Sequence, residues 1–151
     1  MNDVLTVGTL FCAGLLAGEE VVIRFGIRAP LAALEQWSHI VLRQALIRAL
    51  RLLVPAIFLP TLLLGAAATL LGSTGPGLAL RGAAMVALLV WLLTTLAGTV
   101  PINRAALSWD PAAPPSEWRT LVRRWELLDT VRTAAATSAF ALFLLATTTA
   151  A

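Results

Sequence analysis

Glu20, His39, Asn103 and Arg132 are the residues of this chain whose types could carry a reaction, and Glu19, Trp118 and Trp125 could shape a site around them. A carboxylate or an imidazole can take a proton. An amide and a guanidinium can donate hydrogen bonds to a developing anion, and indole rings can wall a pocket for a flat apolar molecule. Such a set suits an electron-rich phenolic substrate, which reacts with oxygen directly once deprotonated. Glu20 or His39 would be the base, Asn103 and Arg132 the donors, Trp118 and Trp125 the walls, with Glu19 beside them. Molecular oxygen would be the co-substrate, and no cofactor is required.

The rest of the inventory narrows the alternatives. The chain has no tyrosine to hold a radical, and its one cysteine, Cys12, lies in an apolar run, so neither a disulfide nor a multi-cysteine metal site forms within one chain. Neither a glycine-rich dinucleotide fingerprint nor a phosphate-binding loop is present. Zinc or non-haem iron normally draws on at least two histidines, and a metal site of His39 with Glu19 or Glu20 is incomplete. A haem with His39 as its single axial ligand remains compatible with the count.

The elements that must position these residues are membrane helices. Hydrophobic residues make up 59% of the chain and charged residues 13%, with a mean hydropathy of +0.87, against about 45–50% and about 25% in soluble domains. Four apolar runs predict spans at approximately 4–24, 45–71, 82–100 and 131–151 within one domain covering 1–151. Each approaches the roughly 20 residues that cross a bilayer core. The opening Met1-Asn2-Asp3 lacks a basic leader region, so the first run reads as a retained span and the mature chain as starting near Met1.

All eleven basic residues are arginine, and ten of them fall between the first and second or the third and fourth spans or at their edges. The positive-inside bias puts both arginine-rich connectors in the cytoplasm, with the termini and the Gly72–Gly77 turn outside, in what reads as a bacterial inner membrane. The net charge of +3 thus reports topology. Nucleic acid is not expected as a partner, because the basic residues share no soluble face. The expected partners are the lipid bilayer and a small lipophilic substrate.

Short links predict an all-α, membrane-embedded antiparallel four-helix bundle with a short interfacial helix and a Trp/Pro-rich connector. Gly14 and Gly18 form a GxxxG pair, read here as packing within the bundle, with a homo-oligomer as the other use of that surface. The first span must run through Glu19 and Glu20 to reach across the core, and Arg24, four residues after Glu20, is placed to pair with it. Those acids are either an interfacial pair answered by a snorkelling arginine or an inward-facing acceptor. Pro30 predicts a surface helix through Leu31, Leu34 and Trp37; Ser38 predicts the cap of the next helix, which begins at His39. Pro55 and Pro60 should kink the second span. Arg43, Arg48 and Arg51 read as headgroup anchors.

In the third connector, Pro101 is expected to end the third span and Ser116 to cap a fourth helix starting near 116. Trp118, Trp125 and Arg132 recur every seven residues and so share one stripe of that helix. Such a stripe is either an interfacial aromatic belt or a pocket wall. Asn103 as a plain helix cap, Arg132 as an anchor and His39 as a hydrogen-bonded surface residue are the plainer alternatives.

The Gly18-Glu19-Glu20 segment, His39…Arg43-Gln44…Pro55, and Asn103-Arg104…Trp109…Pro115…Trp118…Trp125…Asp129…Val131-Arg132 resemble the anthrone oxygenase-like family of small four-helix membrane proteins. The resemblance runs over nearly the whole chain and carries Glu20, His39, Asn103, Trp118, Trp125 and Arg132 as motif positions. It implies a four-span bundle and oxidation of an anthrone methylene to a quinone carbonyl with molecular oxygen. Two functions follow as expectations. One is a membrane oxygenase or oxidoreductase acting on a lipophilic aromatic or quinone-like substrate; the other is a non-catalytic bundle that binds lipid or serves as a partner subunit.

Overall fold

A computed structural model describes residues 3–72 and 74–149. Met1-Asn2 at the start, Ser73 in the expected turn and the last two residues of the expected span 131–151 lie outside the described residues. Among those described there is helix and connector, with no strand.

The elements are α1 (Asp3–Val21), a π-helical stretch at Val22–Ile27 that runs on into α2 (Arg28–Ala32), α3 (Gln36–Leu71), α4 (Gly77–Thr94), a second π-helical stretch at Thr95–Thr99 that runs on into α5 (Val100–Leu107), and α6 (Trp118–Thr148). They make four continuous rods, Asp3–Ala32, Gln36–Leu71, Gly77–Leu107 and Trp118–Thr148, each long and apolar enough to cross a membrane. Neighbouring rods pack against one another, and α1 closes the ring on α6. The fold is an all-α four-helix bundle compatible with a membrane.

One end of the bundle is a dry core. Ala13, Leu16, Ala84, Leu88, Ala136, Ala139 and Phe143 are buried against each other. Small residues let the backbones approach: a Cβ on Gly14 would sit 3.4 Å from the ring of Phe140, and one on Gly65 would sit 2.8 Å from that of Phe143. The alanines of α6 supply the same smoothness where Ala135 and Ala136 face inward. Gly18, the other half of the GxxxG pair, has nothing within 4 Å of such a Cβ. Arg81, the one arginine outside the two arginine-rich connectors, lies inside α4 and is 1% exposed.

Local breaks fall in different places from those the punctuating residues suggest. Pro101 does not stop the third rod. It occupies the first turn of α5, where a missing amide donor costs little, and the wide π turn before it absorbs the change in register. α3 continues as helix across both Pro55 and Pro60, and Pro55 lines a cavity. The surface helix expected from Pro30 is the tail of the first rod, ending at Ala32. The next helix starts at Gln36 with Glu35 in the capping position, and Ser38 bonds the Glu35 carboxylate instead of capping. Ser116 likewise bonds Glu117, and α6 starts at Trp118 without a side-chain cap. In both cases a glutamate and not the serine stands at the N-cap position, and the serine hydroxyl donates to that glutamate's carboxylate.

Candidate functional site

The end of the bundle away from the dry core is hollow. A cavity of about 660 Å³ is lined from all four rods, within the range of small-molecule sites. Much of its wall is aliphatic, including Ile23, Leu50, Val54, Leu62 and Leu92. Both π-helical stretches border it, through Ile23 and Ile27 on one side and Thr95, Leu96 and Thr99 on the other. A π turn widens the helix and displaces the side chains after it, which is why such turns recur at functional sites.

At the boundary with the dry core stands a buried ion pair. Glu20 is wholly buried, and its Oε1 accepts hydrogen bonds from Arg132 Nη2 and, at 2.7 Å, from Trp91 Nε1. The Arg132 guanidinium also lies 4.8 Å over the Trp91 ring, which stacks on Phe58 at 4.4 Å. A carboxylate at this depth is tolerable only with a cation and donors around it. The partner differs from the one its spacing predicts: Arg24, four residues on, reaches across to Thr130. A cross-bundle pair neutralises the acid and also ties the first rod to the fourth, which an intrahelical pair would not do.

Glu19 also lines the cavity, so both adjacent acids face inward. It is half-buried and carries no hydrogen bond or ion pair. Asp129, one turn before Arg132 on α6, is wholly buried, and neither of its carboxylate oxygens has a hydrogen-bond partner. Asn103 Oδ1, Trp125 Nε1, Glu20 Oε2 and Arg132 Nε are buried and unpartnered as well. Such a concentration of unmet donors and acceptors around one cavity is costly in a scaffold and useful in a binding site.

His39 lies further along the same cavity. Its Nδ1 is 2.9 Å from the Leu31 carbonyl, and its Nε2 faces Arg43 Nε at 3.4 Å. Both ring nitrogens are thereby engaged, which does not suit a haem iron or another metal at this imidazole. Among the described residues no three His, Cys, Asp or Glu side chains are grouped to hold a metal ion. Arg43 in turn stacks 5.0 Å over Trp125. Beside it Gln44 bonds the carbonyls of Ala106 and Trp109 at 2.9 and 3.0 Å, which pins the third connector to α3.

The stripe on α6 does face the bundle, and its members meet different partners in turn: Trp118 with His39, Trp125 with Arg43, Arg132 with Glu20 and Trp91. Trp125 and Arg132 line the cavity. Trp118 does not. It packs under His39 and against Trp109, Ile40 and Val122, so it supports the wall from behind. The cavity therefore gathers Glu19, Glu20, His39, Asn103, Trp125 and Arg132 and leaves out Trp118.

Three participants were given no site role from the sequence. Asp129 has a signal in retrospect, an acid three residues before Arg132 and so on the same face of the helix, where the charge-free run begins. Trp91 is an indole in the middle of a charge-free run, whose N–H needs a buried acceptor. Arg43 was read as a headgroup anchor, but it is 4% exposed and holds Trp125 and His39 in place.

Residues 43–142, about two-thirds of the chain, match the family model described as Anthrone oxygenase. That stretch includes Asn103, Trp125, Asp129 and Arg132 and stops short of Glu19, Glu20 and His39. No curated protein and no solved structure matches the chain. The chain belongs to the anthrone oxygenase family.

Proposed function

We propose that this member of the anthrone oxygenase family is a membrane oxygenase that oxidises a flat, lipophilic phenolic substrate at the hollow end of its bundle, with molecular oxygen as co-substrate. The observation that carries this reading is the pairing of a mostly apolar cavity of about 660 Å³ with unpartnered carboxylate, amide, indole and guanidinium groups along its wall.

The chemistry asks for a base and for stabilisation of an anion. Removing a methylene proton from an anthrone-like ring leaves an electron pair spread over the ring and its carbonyl. That anion passes electrons to oxygen and forms a carbon–oxygen bond, giving a hydroperoxide once the distal oxygen takes up a proton. Loss of the second proton from the same carbon breaks the O–O bond, makes the carbonyl and releases water. One CH2 and one O2 become one C=O and one H2O. In this scheme Arg132 and Asn103 hold the developing oxyanion, and a carboxylate of the cavity takes the protons. Trp125, held by Arg43, and the aliphatic wall exclude water and orient the rings.

The arginine bias supports a cytoplasmic-leaflet position for the hollow end, with its connectors at 33–35 and 108–117, where a lipophilic substrate partitions. The test is oxygen uptake by the purified chain in lipid nanodiscs supplied with anthrone. The expected result is one oxygen consumed per anthraquinone formed, well above spontaneous oxidation. A co-purified lipid filling the cavity, with no acceleration, would instead support a lipid-binding bundle.

A further inference from the structure

The two adjacent glutamates have separate jobs, and we infer that Glu19, not Glu20 or His39, is the base that takes the substrate's proton. The inference rests on the oxygenase reading above and names the group that starts its chemistry.

Each of the other candidates is committed or sealed. Glu20 gives its Oε1 to Arg132 and Trp91 and is wholly buried. Those two bonds occupy the oxygen that points to α6, and the other, Oε2, is buried, so a substrate proton reaches neither without breaking the ion pair. His39 has its Nδ1 on the Leu31 carbonyl and its Nε2 toward a buried guanidinium, where taking a proton would set two cations together. Asp129 is unpartnered, but both its oxygens are closed off.

Glu19 is different on each count. It lines the cavity, it is half-buried rather than sealed, and no hydrogen bond or ion pair holds it. Of its two oxygens only Oε2 is buried, which leaves Oε1 open. The neighbour that fixes the backbone beneath it is Glu20, whose link to α6 sets where this turn of the first rod stands. Glu20 is thus the positioning residue and Glu19 the catalytic one. In the reaction Glu19 accepts the proton as the first C–H bond breaks, and returns it to the peroxide oxygen after oxygen adds. It then accepts the second C–H proton while the O–O bond breaks, and the leaving hydroxide takes that proton away as water.

Because Glu19 makes no hydrogen bond, Glu19→Gln should fold and melt as the wild type does, which makes it a clean probe. Two rates are measured in nanodiscs: anthrone oxidation in air, and exchange of the anthrone methylene protons with deuterated water under nitrogen, each above its uncatalysed background. Binding of anthraquinone, read by tryptophan quenching, shows that the cavity is intact. Glu19→Gln is expected to lose about 100-fold or more in both rates, the usual share of a general base, with anthraquinone binding unchanged. Glu19→Asp should recover part of both. If the wild type oxidises anthrone and Glu19→Gln stays within about threefold of it, the assignment to Glu19 is overturned and the oxygenase reading stands. If the wild type neither oxidises nor exchanges anthrone, the oxygenase reading fails and takes the assignment with it.

Discussion

The dry end of the bundle and the hollow end are built from the same four rods by opposite rules. At the dry end, glycine and alanine remove side-chain volume so that helices close on one another, and Phe143 fills what remains. At the hollow end two π-helical stretches and larger side chains hold the rods apart, and the space between is edged with charges. The boundary is the Glu20–Arg132–Trp91 cluster, stacked on Phe58. The contrast teaches that close helix packing comes from small apolar residues at one end, while at the other the rods are joined by a few specific polar links such as Glu20–Arg132. The dry end supplies stability, and the hollow end spends some of it on unmet hydrogen bonds.

The boundary is where the contrast breaks most violently. Arg132→Met leaves Glu20 buried without its cation and should cost about 3–5 kcal/mol, the usual penalty for removing one partner of a buried pair, seen as a lower thermal midpoint in detergent. Little or no loss would mean that the two ends are not joined there. Next comes the dry end itself. Gly65→Ala drives a methyl to 2.8 Å from the Phe143 ring, which is 3% exposed, and overpacking a tight core costs about 1–3 kcal/mol.

Gly98→Ala makes an equally close approach, 2.8 Å from Leu128 Cδ1. It lies in the π-helical stretch beside the cavity and meets only the tip of a half-buried leucine. Its cost should fall below about 1 kcal/mol, because that tip can turn away. Equal losses at Gly65 and Gly98, measured by the same melts, would erase the distinction between the ends. The smallest effect on stability belongs to Trp125→Phe, which removes an unpartnered indole N–H and keeps a ring under Arg43. Its midpoint should move by no more than about 0.5 kcal/mol, while anthraquinone binding weakens.

The bundle was legible because membrane helices announce themselves: four apolar runs and short links leave few arrangements. The ends of the helices were less legible. Pro101, Ser38 and Ser116 are strong local signals, and each was overridden, the proline by a π turn and the serines by helix starts that put Glu35 and Glu117 at the N-cap position. In the site, Glu20, Arg132, His39 and Asn103, which residue type singled out, all border the cavity. Partnership was not readable. Glu20 lies four residues from Arg24 but bonds an arginine from the far end of the chain, and Trp118 shares a stripe with Trp125 yet sits behind the wall. Spacing along one helix says which face a side chain takes and nothing about which helix it will meet.

The central claim is that the hollow end, and not merely the family fold, is where oxidation occurs. It is tested most directly by filling the cavity while leaving its charges in place. Leu50→Trp puts an indole into the wall from α3, away from the Glu20–Arg132 pair. With helicity and thermal midpoint unchanged, anthrone oxidation in nanodiscs should fall at least about tenfold through lost binding and orientation. Wild-type rates in that variant would contradict the account.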